Sequence, residues 1–170
     1  MTDAPSPAPL RPPVWFEDLV PGAEIRTEGA TISEASILDF AARWDPQPFH
    51  LDVEAAKGSI FGGLIASGFQ TMMTAFRLLH AEKVMNPASQ GSPGMESVRW
   101  LAPVRPGDTI RMVATVLEAR VSASRPQLGI VRWHYSVLNQ RDEAVMDWVS
   151  SGMFLRAPAH RPEATPGAGT

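Results

Sequence analysis

An aspartate and a histidine five residues apart are the first candidates for chemistry in this sequence. Asp45 and His50 flank a segment, Pro46-Gln47-Pro48-Phe49, whose two prolines restrict the backbone. A carboxylate can orient a water molecule and stabilise an imidazolium, and an imidazole exchanges protons near neutral pH. The segment could therefore aim both groups at one water as a general acid/base pair. By spacing alone, a turn cap and a structural histidine are the more frequent outcome.

A glycine-rich segment, residues 62–68, supplies a further candidate group. It leads into a predicted helix, and the first N–H groups of a helix lack internal partners and carry a partial positive charge. Gly68 would let a developing oxyanion approach such an N–H closely. The alternative is that Gly68 is needed for tight packing between helix and sheet.

The elements that must position these groups follow an α+β pattern. Apolar residues at helical spacing predict a helix over residues 31–44, with Thr31 and Glu34 as its capping box, and a longer core helix over residues 63–83. Strand formers separated by turn signals then predict four strands, over residues 95–101, 109–120, 128–138 and 144–155. One or two short strands precede the first helix. We predict an antiparallel meander that curls around the core helix.

Composition excludes several classes of protein. The 170 residues fit one domain, and the 44% hydrophobic share is ample for a core. The net charge of −3 gives no footprint for nucleic acid or an anionic membrane. The absence of cysteine removes disulfides and thiolate nucleophiles, and no histidine pair has the spacing of a metal site, so we predict no metal.

Both ends of the chain are rich in proline. We predict disordered tails over residues 1–14 and 157–170, around a single domain over residues 15–156. The start lacks the features of a secretory signal, and no apolar run has the length of a membrane span. The expected location is therefore the cytoplasm.

Three segments together resemble the MaoC-like dehydratases and (R)-specific enoyl-CoA hydratases. The run from Phe40 to Ala56 is similar to their hydratase motif, residues 63–68 to the glycine-rich segment before their central helix, and residues 103–110 to a turn before their later strands. The resemblance covers most of residues 15–155. It implies a hotdog fold, in which a curved antiparallel β-sheet wraps a long central α-helix, commonly in a dimer that acts on acyl thioesters.

The resemblance also implies roles for particular residues. Asp45 and His50 would activate water for addition across the double bond of a 2-enoyl thioester, or remove it in reverse, and the Gly68 N–H would bind the thioester oxygen. Gln47 stands where the family has asparagine, and Phe49 is bulkier than the usual aliphatic residue. We interpret both departures as tuning of the substrate.

Five residues are the predicted substrate contacts. Arg125 is included because a guanidinium fork suits a CoA phosphate. The set is Gln47, Phe49, Gly63, Ser67 and Arg125.

The expected function is reversible hydration of a 2-enoyl thioester of CoA or of acyl carrier protein, without a cofactor. One alternative is an acyl-CoA thioesterase on the same fold, in which the water attacks the thioester carbonyl. A second is a non-catalytic module that binds acyl thioesters. Because a curled sheet leaves an edge unpaired, we expect a homodimer or a higher homo-oligomer. Neither a nucleic acid nor a membrane is an expected partner.

Overall fold

Six strands form one antiparallel sheet with the order β1-β4-β5-β6-β3, and β2 also pairs with β4. The structure is a computed structural model and describes residues 10–162. The strands are β1 Glu24–Arg26, β2 Ala30–Thr31, β3 Gly94–Trp100, β4 Thr109–Val121, β5 Leu128–Leu138 and β6 Ala144–Leu155. The helices are α1 Glu34–Trp44, α2 Pro48–Leu51, α3 Val53–Lys57 and α4 Gly68–Ala81.

The two faces of the sheet differ in character, as alternation in the sequence predicts. Along β5, Val131, Trp133, Tyr135 and Val137 are buried, and the residues between them are only partly covered. The buried side chains belong to one core that also contains Ala75 and Leu79 of α4. The predicted α+β arrangement of one sheet against one long helix is therefore confirmed.

The predicted meander holds for β4, β5 and β6 but is wrong for β3. This strand pairs with β6, so it lies at the edge of the sheet opposite to β1. Residues 101–108 must therefore cross from one side of the sheet to the other. On the way, the Val104 carbonyl accepts a hydrogen bond from the Ala66 N–H at 2.8 Å, beside the start of α4.

Helix α4 begins later than predicted, at Gly68 instead of residue 63. Ser67 is its N-cap, and the Ser67 hydroxyl accepts a hydrogen bond from the Phe69 N–H. One face of α4 is buried, whereas Phe69 and Met73 on the opposite face are each 58% exposed. The sheet of one chain thus covers the helix on one side only.

Helix α1 also begins later than predicted. Ser33 is its N-cap and accepts a hydrogen bond from the Ser36 N–H, whereas Thr31 lies in β2 and its hydroxyl bonds the Thr109 hydroxyl. The proposed capping box of Thr31 and Glu34 is therefore wrong, because strand pairing takes Thr31.

The structure also differs from the predicted tails where the two overlap. Val14 is buried and bridges to Pro87, and Pro158–His160 form a turn of 3-10 helix. Apolar packing therefore begins inside the predicted N-terminal tail, while residues 1–9 and 163–170 lie outside the described residues. Within residues 10–162, none of the helices combines the length and the apolar character that crossing a membrane needs.

Candidate active site

The end of α1 and the short helix α2 bring Asp45 and His50 together. Asp45 is the C-cap of α1, and Pro48 begins α2, where a proline costs no helical hydrogen bond. His50 thus lies on a helical turn instead of an irregular loop, and it is only 4% exposed. The two side chains meet with His50 Nε2 3.4 Å from Asp45 Oδ2.

The orientation of the imidazole ring is fixed by its other nitrogen. His50 Nδ1 lies 2.8 Å from the carbonyl oxygen of Ile65. Because a carbonyl can only accept, Nδ1 carries the proton, and the lone pair of a neutral His50 is at Nε2. Nε2 therefore faces a carboxylate oxygen as a second acceptor. A donor shared between the two, such as a water molecule, satisfies both.

Asp45 is held by two further side chains. The Ser67 hydroxyl donates to Oδ2 at 2.6 Å, and the Gln47 amide donates to Oδ1 at 2.8 Å. Burial opposes ionisation, but the hydrogen bonds from Ser67 and Gln47 and the nearby His50 outweigh it and hold the pKa of Asp45 below its usual range. Asp45 is therefore an anion at neutral pH.

Gly68 is the first residue of α4, and its N–H finds no acceptor among residues 10–162. The indole of Trp100 also packs against it: a Cβ built on Gly68 would lie 1.9 Å from Trp100 Nε1. The Gly68 N–H is thus unpaired among the described residues, and the indole leaves no room for a Cβ at this position.

These groups line one cleft with a volume of about 380 Å³. Residues 61–71 form one wall and residues 100–104 the other, and both walls are mainly apolar. Asp45, His50 and Gly68 all border this cleft, as do Gln47 and Phe49. Five of the sequence-predicted site residues are therefore in one place.

The other predicted contacts lie elsewhere or act indirectly. Ser67 is fully buried beneath Asp45. Gly63 packs against the Arg105 side chain, and Arg125 lies in the turn between β4 and β5, away from the residues that border the cleft. Arg99 of β3 does not border the cleft either, because it binds both oxygens of Asp147.

Several cleft residues were not predicted, among them Phe61, Trp100 and Val104. Phe61 follows α3, whereas Trp100 ends β3 and Val104 lies in the crossing segment, both remote in sequence from Asp45. Within the part of the chain that the structure describes, no three histidine or carboxylate side chains are grouped as metal ligands would be.

Comparison with known proteins gives a consistent result. The family model for the MaoC like domain matches residues 18–134. A crystal structure of the MaoC-like dehydratase from Rhodospirillum rubrum is 39% identical, covers 85% of this chain and 99% of that chain, and has a TM-score of 0.79.

Two further proteins extend the comparison. Protein MaoC from Klebsiella aerogenes is 32% identical over 134 residues, which are 75% of this chain and 39% of that protein, so this chain spans well under half of it. The (R)-hydratase PhaJ1 from Pseudomonas aeruginosa is 24% identical, covers 91% of this chain and 97% of that chain, and has a TM-score of 0.68. These likenesses confirm the predicted hotdog fold.

Proposed function

This chain belongs to the MaoC-like family, and from that premise we propose that it adds water to 2-enoyl thioesters and, in reverse, removes water from 3-hydroxyacyl thioesters. The observation that carries the proposal is the 3.4 Å contact between His50 Nε2 and Asp45 Oδ2 at the border of an apolar cleft. Two acceptors that face each other at this distance suit a water that donates one hydrogen to each.

The proposed reaction begins with that water. Its two hydrogens point at Asp45 and His50, so an oxygen lone pair is free to attack C3 of the enoyl group. His50 Nε2 takes one proton from the attacking water and delivers it to C2, and the hydroxyl stays on C3. The anion of Asp45 stabilises the imidazolium that forms in between.

The negative charge that develops during the attack is on the thioester oxygen. In the proposal this oxygen accepts a hydrogen bond from the Gly68 N–H at the start of α4, where the helix dipole adds a partial positive charge. One such donor is typically worth about 3–4 kcal/mol in the transition state. The reactants are water and the thioester alone, so no cofactor is required.

The test is to incubate the protein with crotonyl-CoA and record two signals together. Hydration removes the absorbance of the conjugated thioester and releases no thiol. Release of thiol would instead indicate the thioesterase, and binding with neither signal would indicate the non-catalytic module. Parallel assays with crotonyl-pantetheine and with a crotonyl-acyl carrier protein show whether the thioester carrier is CoA or acyl carrier protein.

We also propose that two copies of the chain associate. Strand β3 has β6 on one side, and its other edge is unpaired within residues 10–162. Apolar side chains are exposed at this edge, including Trp100 of β3 at 53% and Phe69, whose ring contacts the indole, at 58%. Pairing of two β3 edges would cover both features. Light scattering after size-exclusion chromatography should give twice the mass of 18.4 kDa.

A further inference from the structure

The two walls of the cleft run alongside each other in opposite directions. At one end, the Trp100 indole packs against Gly68. In the middle, the Ala66 N–H bonds the Val104 carbonyl. At the other end, Arg105 Nη2 donates to the Phe61 carbonyl at 2.6 Å. The cleft therefore has a Gly68 end and a Phe61 end.

The reacting groups give a substrate a direction along this cleft. In the proposed function, the thioester oxygen is at Gly68, and C3 is at the Asp45–His50 pair. Asp45 is bonded to Ser67, and His50 is bonded to the carbonyl of Ile65. The acyl chain thus points from residue 68 towards residue 61. The sulfur and its carrier leave at the Gly68 end, past Trp100 and Leu101, which are about half exposed.

Two phenylalanine rings border the cleft towards its Phe61 end. The Phe49 ring is 4.5 Å from the His50 ring, and the Phe61 ring is 5.2 Å from the Phe49 ring, measured between centroids. Both side chains border the cleft. Two successive ring contacts therefore lead from the histidine to Phe61, so the Phe61 ring lies no more than two ring contacts beyond the imidazole.

The backbone of Phe61 is held on both sides. Its N–H donates to the Ser59 hydroxyl at 3.2 Å, and its carbonyl accepts from Arg105. The Arg105 backbone is fixed in turn, because its N–H donates to Asp108 at 2.7 Å. Gly63 lies beside this arginine, whose Nη1 would be 3.4 Å from a Cβ at that position.

We propose that Phe61, positioned by Arg105, closes the acyl end of the cleft together with Phe49 and restricts the substrate to short-chain enoyl thioesters. This inference rests on the proposed function. Phe61 is the specificity-determining residue, because its ring contacts the end of the chain. Arg105 is a positioning residue that acts through the Phe61 carbonyl.

The experiment compares kcat/KM for crotonyl-CoA, hexenoyl-CoA and trans-2-decenoyl-CoA. The wild-type protein should prefer the two shorter substrates. Phe61→Ala should raise the ratio of decenoyl to crotonyl activity by about tenfold or more, since every further methylene then finds apolar surface. Phe61→Trp should lower the ratio of hexenoyl to crotonyl activity. This second variant fills the pocket and keeps the test valid if the alanine variant does not fold.

Arg105→Ala should shift the decenoyl ratio in the same direction by less, because the ring stays but is held less firmly. A purely structural arginine would lower activity with all three substrates alike. The matched control is Ile60→Ala, on the same loop but with a side chain 96% exposed, which should leave both ratios unchanged.

The outcomes separate this inference from the function on which it rests. A wild-type protein that hydrates none of the three thioesters would overturn the proposed function and the inference with it. A wild-type protein that hydrates crotonyl-CoA, with substrate ratios unaltered by Phe61→Ala and Phe61→Trp, would overturn the inference alone.

Discussion

Two aspartate–histidine pairs within residues 10–162 have nearly the same distance between the imidazole and the carboxylate. His50 Nε2 is 3.4 Å from Asp45, and His134 Nε2 is 3.8 Å from Asp147. The first pair borders the cleft, beside the start of α4. The second lies on the outer face of the sheet, where His134 of β5 meets Asp147 of β6.

The partners of the carboxylates differ. Arg99 binds both oxygens of Asp147 at 2.9 and 2.6 Å, and these bonds, against the effect of burial, hold the pKa of Asp147 below its usual range. The His134 side chain is 39% exposed, whereas that of His50 is 5% exposed. Because Arg99 holds both carboxylate oxygens, the outer pair, His134 and Asp147, is a structural contact between strands. Neutral donors around Asp45 leave it able to share a water with His50.

The largest effects on activity should come from the inner pair, Asp45 and His50. Asp45→Asn removes the charge that orients the water, and His50→Gln removes the group that carries the proton. Each should lower kcat/KM for crotonyl-CoA by about a thousandfold or more. Steady-state kinetics with circular dichroism as a folding check measures this. Variants within a fewfold of wild type would show that the inner pair is as structural as the outer one.

The Gly68 N–H distinguishes the two pairs, because only the inner pair has a helix N–H beside it. Gly68→Ala keeps that N–H but places a Cβ into the Trp100 indole. It should lower kcat/KM by about tenfold or more, since misplaced catalytic geometry is costly. Adding Trp100→Leu should recover part of the loss. Full activity in the Gly68→Ala single variant would show that the packing of the Trp100 indole against residue 68 is unimportant for catalysis.

The donors around Asp45 should affect the pH profile. Ser67→Ala removes a hydrogen bond that lowers the pKa of Asp45, so this pKa should rise and the Asp45 anion should be lost at a higher pH. In the proposed reaction this anion stabilises the imidazolium of His50, so the loss of kcat/KM should be larger in acid than at neutral pH. Gln47→Ala should have the same effect to a smaller extent. A loss of activity that is equal in acid and at neutral pH in both variants would contradict the role of these hydrogen bonds in keeping Asp45 ionised.

The smallest effect on activity should come from the outer pair. Asp147→Asn and His134→Ala should leave kcat/KM within about twofold of wild type. Asp147→Asn should lower the melting temperature, because the Arg99 clamp loses its charge-assisted bonds. A large loss of activity in His134→Ala, with the fold intact, would mean that the outer face takes part in the reaction.

The sequence predicts some elements well because their signals are local. Strands β5 and β6 have the expected bounds, since alternation and turn residues define them. Such local signals do not predict the pairing of β3 with β6, because the order of strands in the sheet depends on how residues 101–108 cross the molecule. Thr31 illustrates the same limit, since its hydroxyl pairs with Thr109, 78 residues away.

The candidate site divides in the same way. Asp45 and His50 are close in sequence and joined by two prolines, so their spacing could suggest the pair. The carbonyl of Ile65 that orients His50, the Trp100 indole at Gly68 and the Phe61 ring come from segments outside this motif. Arg125 has a suitable side chain but lies in a turn away from the cleft border. The residue type alone could suggest a substrate contact, but only the fold shows which of the suggested residues lie at the cleft.

The most direct test of the proposed reaction is a crystal structure of the Asp45→Asn variant with a bound 3-hydroxybutanoyl thioester. The C3 hydroxyl should lie between residues 45 and 50, within hydrogen-bonding distance of His50 Nε2, and the thioester oxygen should accept a hydrogen bond from the Gly68 N–H. A hydroxyl bound away from both side chains, or a thioester oxygen at another donor, would contradict it.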